Sequence, residues 1–236
     1  MKLIIGNHKL NLNLKEINEY IEFFKEKNYS NVFFAPSNLY LTKFVDNGLN
    51  AVSQDVSSYA SGAYTGETGA FQLKSIGVSA SIVGHSERRK YFRDDDFVNN
   101  KIIRLLEHGL KPILCVGEKK EERDNGTYKE VVYKEIDEAF KNIMQNFLFN
   151  VIIAYEPIWS IGTGVIPSNT EIEEMVNDIK KYIKEKYDAD IKVLYGGSVN
   201  NNNISELEQI KGIDGYLVGG CSIKIQEFNE LIEKVR

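Results

Sequence analysis

Eight short, unbroken apolar runs recur down the chain, and nothing else in the sequence restricts the fold as strongly. They are Leu3-Ile4-Ile5, Val32-Phe33-Phe34, Ala51-Val52, Ser81-Ile82-Val83, Ile113 to Val116, Val151 to Ala154, Val193-Leu194-Tyr195 and Tyr216-Leu217-Val218. A strand with one wet face alternates apolar and polar residues. These runs are continuous instead, which predicts strands covered on both faces, as in a parallel sheet. Between them lie helical stripes with an i, i+3, i+4, i+7 period: Ile17, Tyr20, Ile21, Phe24; Ile172, Met175, Val176, Ile179; Val132, Ile136, Ala139, Ile143; and Phe228, Leu231, Ile232, Val235.

The punctuation between these segments agrees with them. Asn28, Gly48, Gly77 and Gly109 each stand shortly before a strand, where a helix C-terminus favours a residue tolerant of positive φ. Asp94-Asp95-Asp96 ahead of the stripe Val98, Ile102, Leu105, Leu106 predicts a helix N-terminus, and Ser168 with Glu171 has capping-box spacing. Eight strand–helix units at about 30 residues each predict an α/β protein, a single (β/α)8 barrel of eight parallel strands with outer helices, filling residues 1–236 as one domain. A doubly wound open sheet is the alternative and ranks behind it.

Twenty-nine basic against thirty-four acidic residues give a net charge of −5, which argues against a nucleic-acid-binding surface. The longest apolar stretch, Phe147 to Tyr155, is interrupted by Asn150 and falls far short of the ~20 residues of a membrane span. The first residues carry no secretory hydrophobic region, so the expected compartment is the cytoplasm. Cys115 and Cys221 fit no metal-ligand spacing and are expected as buried thiols.

In a barrel of this kind, chemistry belongs to the loops that follow the strands. Tyr195-Gly196-Gly197-Ser198 and Val218-Gly219-Gly220-Cys221-Ser222 each place a glycine pair between a strand and a helical stretch. Backbone N–H groups there approach a ligand closely, and a helix N-terminus favours an anion, so the two pairs form a phosphate cradle or, more simply, two tight turns. Glu156 ends the sixth run, and Pro157 restrains its backbone; a general base and a loop salt bridge are both open at this point. The following apolar, glycine-containing segment, Pro157, Ile158, Trp159, Ser160, Ile161, Gly162, Thr163, Gly164, Val165, Ile166 and Pro167, has the character of a lid or of a packed Ω-loop.

After the fourth run, Gly84-His85-Ser86-Glu87-Arg88 echoes a nucleophile elbow, but position 88 is Arg where that motif needs Gly, which disfavours Ser86 as a nucleophile. His85 at the strand end is better suited to donate a hydrogen bond to a carbonyl as a neutral ring. His8 and His108 have no comparable setting, and no metal site emerges. Lys9 brings an ammonium to the same rim, where it either faces the anion or is simply solvated.

Taken in order, Gly6-Asn7-His8-Lys9-Leu10-Asn11, Gly62-Ala63-Tyr64-Thr65-Gly66-Glu67, Gly84-His85-Ser86-Glu87-Arg88-Arg89, Cys115-Val116-Gly117-Glu118, Tyr155-Glu156-Pro157-Ile158-Trp159, Ile161-Gly162-Thr163-Gly164, Tyr195-Gly196-Gly197-Ser198 and Leu217-Val218-Gly219-Gly220 resemble the triosephosphate isomerase family over essentially the whole chain. The resemblance implies a TIM barrel and the cofactor-independent interconversion of dihydroxyacetone phosphate and glyceraldehyde 3-phosphate. It implies Glu156 as the base, neutral His85 polarising the carbonyl, Lys9 and Asn7 stabilising the enediolate, and Glu87 as a supporting carboxylate. Gly162, Ser198, Gly219 and Gly220 would meet the phosphate, residues 157–167 would form the lid, and no metal or cofactor is needed. It further implies a homodimer, with Tyr64, Thr65 and Glu67 of the long 54–69 loop at the interface.

Two departures stand out. His8 replaces the Trp that is common in the family, for which a packing change is expected. Val165-Ile166-Pro167 replaces the usual hinge, and Pro167 fixes φ there. The rivals are another phosphate-binding barrel isomerase or lyase on a larger sugar phosphate, and a non-catalytic scaffold that kept the fold.

Overall fold

All eight apolar runs form strands: β1 (Leu3–Asn7), β2 (Val32–Ala35), β3 (Val52–Ser53), β4 (Ala80–Val83), β5 (Lys111–Val116), β6 (Ile152–Tyr155), β7 (Lys192–Tyr195) and β8 (Gly215–Val218). In this computed structural model, which describes residues 1–161 and 166–235, they join one parallel sheet in the order β2-β1-β8-β7-β6-β5-β4-β3. The register places Ile5 beside Phe33 and Leu217, and Cys115 beside Ala154. A parallel bridge between Phe34 and Ala51, with the Phe34 N–H donating to Asn50 O at 2.8 Å, joins the two ends of the sheet and closes the barrel. The open-sheet alternative is thereby excluded.

The continuous apolar runs have a direct cause. Successive side chains of a strand point to opposite faces, and here both faces are dry. Ile5, Ala35, Val52, Ile82, Ile113, Cys115, Ala154, Leu194 and Leu217 point inward and fill the barrel. Their neighbours Ile4, Phe34, Val83, Leu114, Ile153, Val193 and Val218 point outward against the helices.

The surrounding helices are α1 (Leu14–Phe24), α2 (Leu41–Asp46), α3 (Ala70–Ser75), α4 (Ser86–Phe92), α5 (Val98–Glu107), α6 (Lys120–Asp124), α7 (Tyr128–Phe140), α8 (Gln145–Leu148), α9 (Asn169–Tyr187), α10 (Ile204–Leu207) and α11 (Ile225–Lys234). The predicted stripes are the buried faces of α1, α7, α9 and α11. The α7 helix stops at Phe140, so Ile143 packs on the core from the following turn. Asn28, Gly48, Gly77 and Gly109 all have positive φ, as the sequence required of them. The Ser168–Glu171 capping box is present at α9, and a second one, Asn13 with Glu16, starts α1.

The acidic run Asp94-Asp95-Asp96 does something other than cap a helix. It forms a separate 3-10 turn, Asp94–Phe97, ahead of α5. Asp94 is buried there and accepts from Lys101 Nζ at 2.6 Å, while Lys101 also holds Asp55 at 2.7 and 2.9 Å. Arg88 closes the cluster on Asp55 at 2.9 Å. A buried ammonium needs such partners, and it outcompetes the helix end for the carboxylate. No helix among the described residues is long and apolar enough to cross a membrane.

Candidate active site

Asn7, Lys9, His85, Glu156, Ser198, Gly219 and Gly220 converge on one cavity of about 430 Å³ at the C-terminal ends of the strands. They come from five strands far apart in sequence, and closure of the barrel alone brings them together. Glu156 follows β6 directly; its N–H donates to Val116 O at 2.8 Å, and its carboxylate is almost completely buried. One oxygen, Oε1, lies 3.2 Å from His85 Nε2, and the other accepts the Ser86 N–H at 3.2 Å.

His85 is the N-cap of α4, and its Nδ1 accepts the Glu87 N–H at 3.2 Å. With Nδ1 engaged as an acceptor, Nε2 is the nitrogen left to donate, and it faces Glu156 and the cavity. Lys9 occupies left-handed backbone space at φ 51°, a conformation that costs a residue with a β-carbon. Its own N–H donates to Asn7 Oδ1 at 3.0 Å, Gln54 holds its carbonyl at 2.9 Å, and its ammonium pairs with Glu87 at 2.7 Å. Glu87 thus stands behind Lys9 and does not line the cavity.

The two glycine pairs differ more than the sequence suggests. Gly219-Gly220 leads straight into a 3-10 turn, Gly220–Ile223, whose first N–H groups have no acceptor within the turn. Ser222 braces it by donating to Gly219 O at 2.7 Å and to Asn7 O at 3.2 Å. After Gly196-Gly197 no helix follows directly; α10 begins at Ile204, so Ser198 offers a loop hydroxyl without a helix dipole behind it.

The start of the expected lid is anchored. Residues Ile158–Ser160 form a 3-10 turn after Pro157, the Ile158 N–H donates to Glu118 O at 3.0 Å, and Trp159 Nε1 donates to Glu118 Oε1 at 2.9 Å. Tyr155 donates to the same oxygen at 3.1 Å, and burial raises the Glu118 carboxyl above its usual range. Ile161 borders the cavity, Ile166 is exposed and Pro167 is buried beside the α9 cap. Gly162, Thr163, Gly164 and Val165 lie outside the described residues. Tyr64, Thr65 and Glu67 are not part of the cavity; they sit exposed on the 54–69 loop, where Tyr64 stacks on Tyr59 at 3.7 Å.

The two cysteines are buried, Cys115 inside the barrel and Cys221 at the cavity floor. His8 is completely buried, with its ring edge-on to Tyr20 at 4.7 Å and near Phe44 at 5.9 Å. Among the described residues no group of three or more His, Cys, Asp or Glu is arranged to hold a metal ion. Sequence reading gave no role to Glu118, Glu135 or Lys101. All three are single charged residues on amphipathic or loop segments, and only the packing buries Glu118 and Lys101 and half-buries Glu135.

A histidine facing a buried carboxylate, an ammonium at the same cavity and a glycine-lined rim define an acid–base enzyme of the (β/α)8-barrel class that acts on a small anionic substrate. Residues 2–235 match the pattern of the family described as triosephosphate isomerase. Similar proteins of that name occur in Malacoplasma penetrans, 38% identical over 98% of both chains, and in Thermoanaerobacter sp., 40% identical over 98% of both. Another, from Francisella tularensis subsp. novicida, is 35% identical and covers 99% of this chain and 96% of its own. The chain belongs to the triosephosphate isomerase family.

Proposed function

We propose that this chain interconverts dihydroxyacetone phosphate and glyceraldehyde 3-phosphate as a single barrel domain, with Glu156 moving the proton. The observation that carries the reading is the Glu156–His85 pair, 3.2 Å apart at the wall of a cavity that Lys9 and Gly219-Gly220 also line. Glu156 takes a proton from the carbon beside the carbonyl. The C–H electron pair becomes the new C=C bond, and the carbonyl π pair moves to oxygen. The Nε2–H of His85 and the ammonium of Lys9, with Asn7 beside it, stabilise that oxygen as charge develops. With the Nε2–H of His85 between the two oxygens, the proton of the neighbouring hydroxyl passes to the new oxyanion; that hydroxyl's oxygen re-forms a C=O, and the C=C electron pair takes the proton back from Glu156 at the former carbonyl carbon.

The substrate phosphate binds the N–H groups at Gly219 and Gly220 with Ser198 and Gly162 alongside. Residues 157–167 close over it and exclude water, which protects an enediolate otherwise prone to expel its phosphate. Glu87 holds Lys9 in place. A larger sugar phosphate is the less favoured substrate, because it would not fit beneath a lid that leaves from the cavity wall.

The chain acts as a homodimer in the cytoplasm, with Tyr64, Thr65 and Glu67 in the interface. Leu10, Leu39, Tyr64, Tyr91 and Phe92 are exposed on the segments that follow the first four strands in turn, which supports that reading. The test of the chemistry is isomerisation of glyceraldehyde 3-phosphate by the native chain and by Glu156→Gln at equal folded concentration. Turnover should fall by about 10²- to 10⁴-fold in the variant. A variant as fast as the native chain would remove Glu156 from the reaction.

A further inference from the structure

We infer that Glu135, on the outer helix α7 and away from the reacting cavity, is a positioning residue that holds the general base through the backbone of Gly117; the inference rests on the reading of Glu156 as that base. Gly117 follows β5, opposite Glu156 across the β5–β6 pair. Its α-carbon packs so closely on the Glu156 peptide that a β-carbon there would overlap the Glu156 carbonyl oxygen. One residue earlier, Val116 O accepts the Glu156 N–H at 2.8 Å. The peptide of the base is therefore seated on the last residues of β5.

Gly117 is past the end of the strand, where its N–H has no ladder partner, and Glu135 Oε2 accepts it at 2.9 Å. The other side of Glu135 faces Arg89, whose Nε lies 3.8 Å away. Arg89 in turn donates to Gly84 O at 2.7 Å, just before His85, and to Cys115 O at 3.2 Å. Glu135 and Arg89 thus brace, from outside the barrel, the two backbone stretches that present Glu156 and His85. Burial lifts the Glu135 carboxyl to about 7, with Arg89 pulling it back, so the pair is a costly one to keep unless it has work to do. The hydrogen bond itself needs only an acceptor oxygen.

Two substitutions separate acceptor from charge. Glu135→Gln keeps an oxygen at the right length and loses the charge; Glu135→Asp keeps the charge and cannot reach Gly117. In isomerisation assays kcat of Glu135→Asp should fall about tenfold, because a displaced base loses alignment, while KM and inhibition by inorganic phosphate stay within about twofold. Glu135→Gln should recover most of the native kcat. If the Asp variant does not fold, Glu135→Met, of similar length without an oxygen, replaces it with the same expectation. The inference is overturned if the acceptor-free variant turns over at the native rate, if Glu135→Gln is as slow as it is, or if KM rises in step with the fall in kcat. Glu156→Gln is assayed alongside. If that variant retains turnover, the base itself is misassigned and this inference falls with it; if it is inactive while Glu135→Asp is native-like, only the role of Glu135 is lost.

Discussion

His8 shows how one residue can be tolerated beside catalytic groups yet set a limit on the whole protein. It sits between Asn7 and Lys9 in sequence, but its ring points the other way, into the aromatic cluster of Tyr20 and Phe44. Neither ring nitrogen has a partner among the described residues, and burial depresses its pKa from 6.5 to about 3. The folded state refuses a proton that the unfolded chain accepts. Stability from this site is complete above about pH 6.5 and is lost as pH falls from there towards 3, at about 1.4 kcal/mol per unit. His8→Phe should therefore lose about 2 kcal/mol less than the native chain between pH 7.5 and 5, measured by urea unfolding at both values. Equal losses would show that His8 does not titrate on unfolding. Gly117 is the other telling position: Gly117→Ala should cut kcat by at least about a hundredfold or prevent folding, since the Glu156 peptide has nowhere to go.

At the scale of elements, polar contacts decide where helices and loops stop. The Asp55–Lys101–Asp94–Arg88 cluster ties the loop after β3 to α4, to the 3-10 turn and to α5. Burial keeps the Asp55 carboxyl above its usual range in spite of Lys101 and Arg88. Lys101→Met leaves the buried Asp94 and the half-buried Asp55 with Arg88 as their remaining cation and should destabilise by about 3 kcal/mol in chemical unfolding. A loss under 1 kcal/mol would mean that solvent reaches the cluster. The α9 cap is a milder case: Ser168→Ala should cost about 1 kcal/mol, seen as a lower thermal midpoint. Because that cap directly follows Pro167, activity of the same variant tests whether the proposed lid depends on it.

At the scale of the whole molecule, the base of the 54–69 loop is tied into the barrel by Gln54, Asp55 and Val56, whereas its tip has no evident work within one chain. Ser61 to Glu67 are exposed throughout, yet Tyr59 and Tyr64 stack within 7° of parallel, which preforms a rigid apolar tip. A long ordered loop of this kind fits docking into a second copy. Tyr64→Asp should convert a dimer to monomers in sedimentation velocity and lower turnover by about tenfold or more. A native chain that sediments as a monomer at micromolar concentration would end the dimer reading.

Much of this was legible in the amino-acid order, for a physical reason. A strand buried on both faces must be apolar at every position, and a helix on a sheet must be apolar on one stripe, so the eight runs and their stripes announced the barrel. Strand ends were readable because proline restricts the backbone and glycine frees it at the turns, which is why Glu156, His85, Lys9 and both glycine pairs stood out as candidates. Contacts between distant segments left no such mark. The acidic run at 94–96 looked like a helix cap, and only packing against Lys101 shows that it answers a buried charge. Glu135 is one acidic residue among many on an amphipathic helix, and nothing local distinguishes it. Its meeting with Gly117, and through Gly117 with Glu156, exists only once β5, β6 and α7 are packed together, because a hydrogen bond across the fold depends on three-dimensional separation rather than on spacing in the chain.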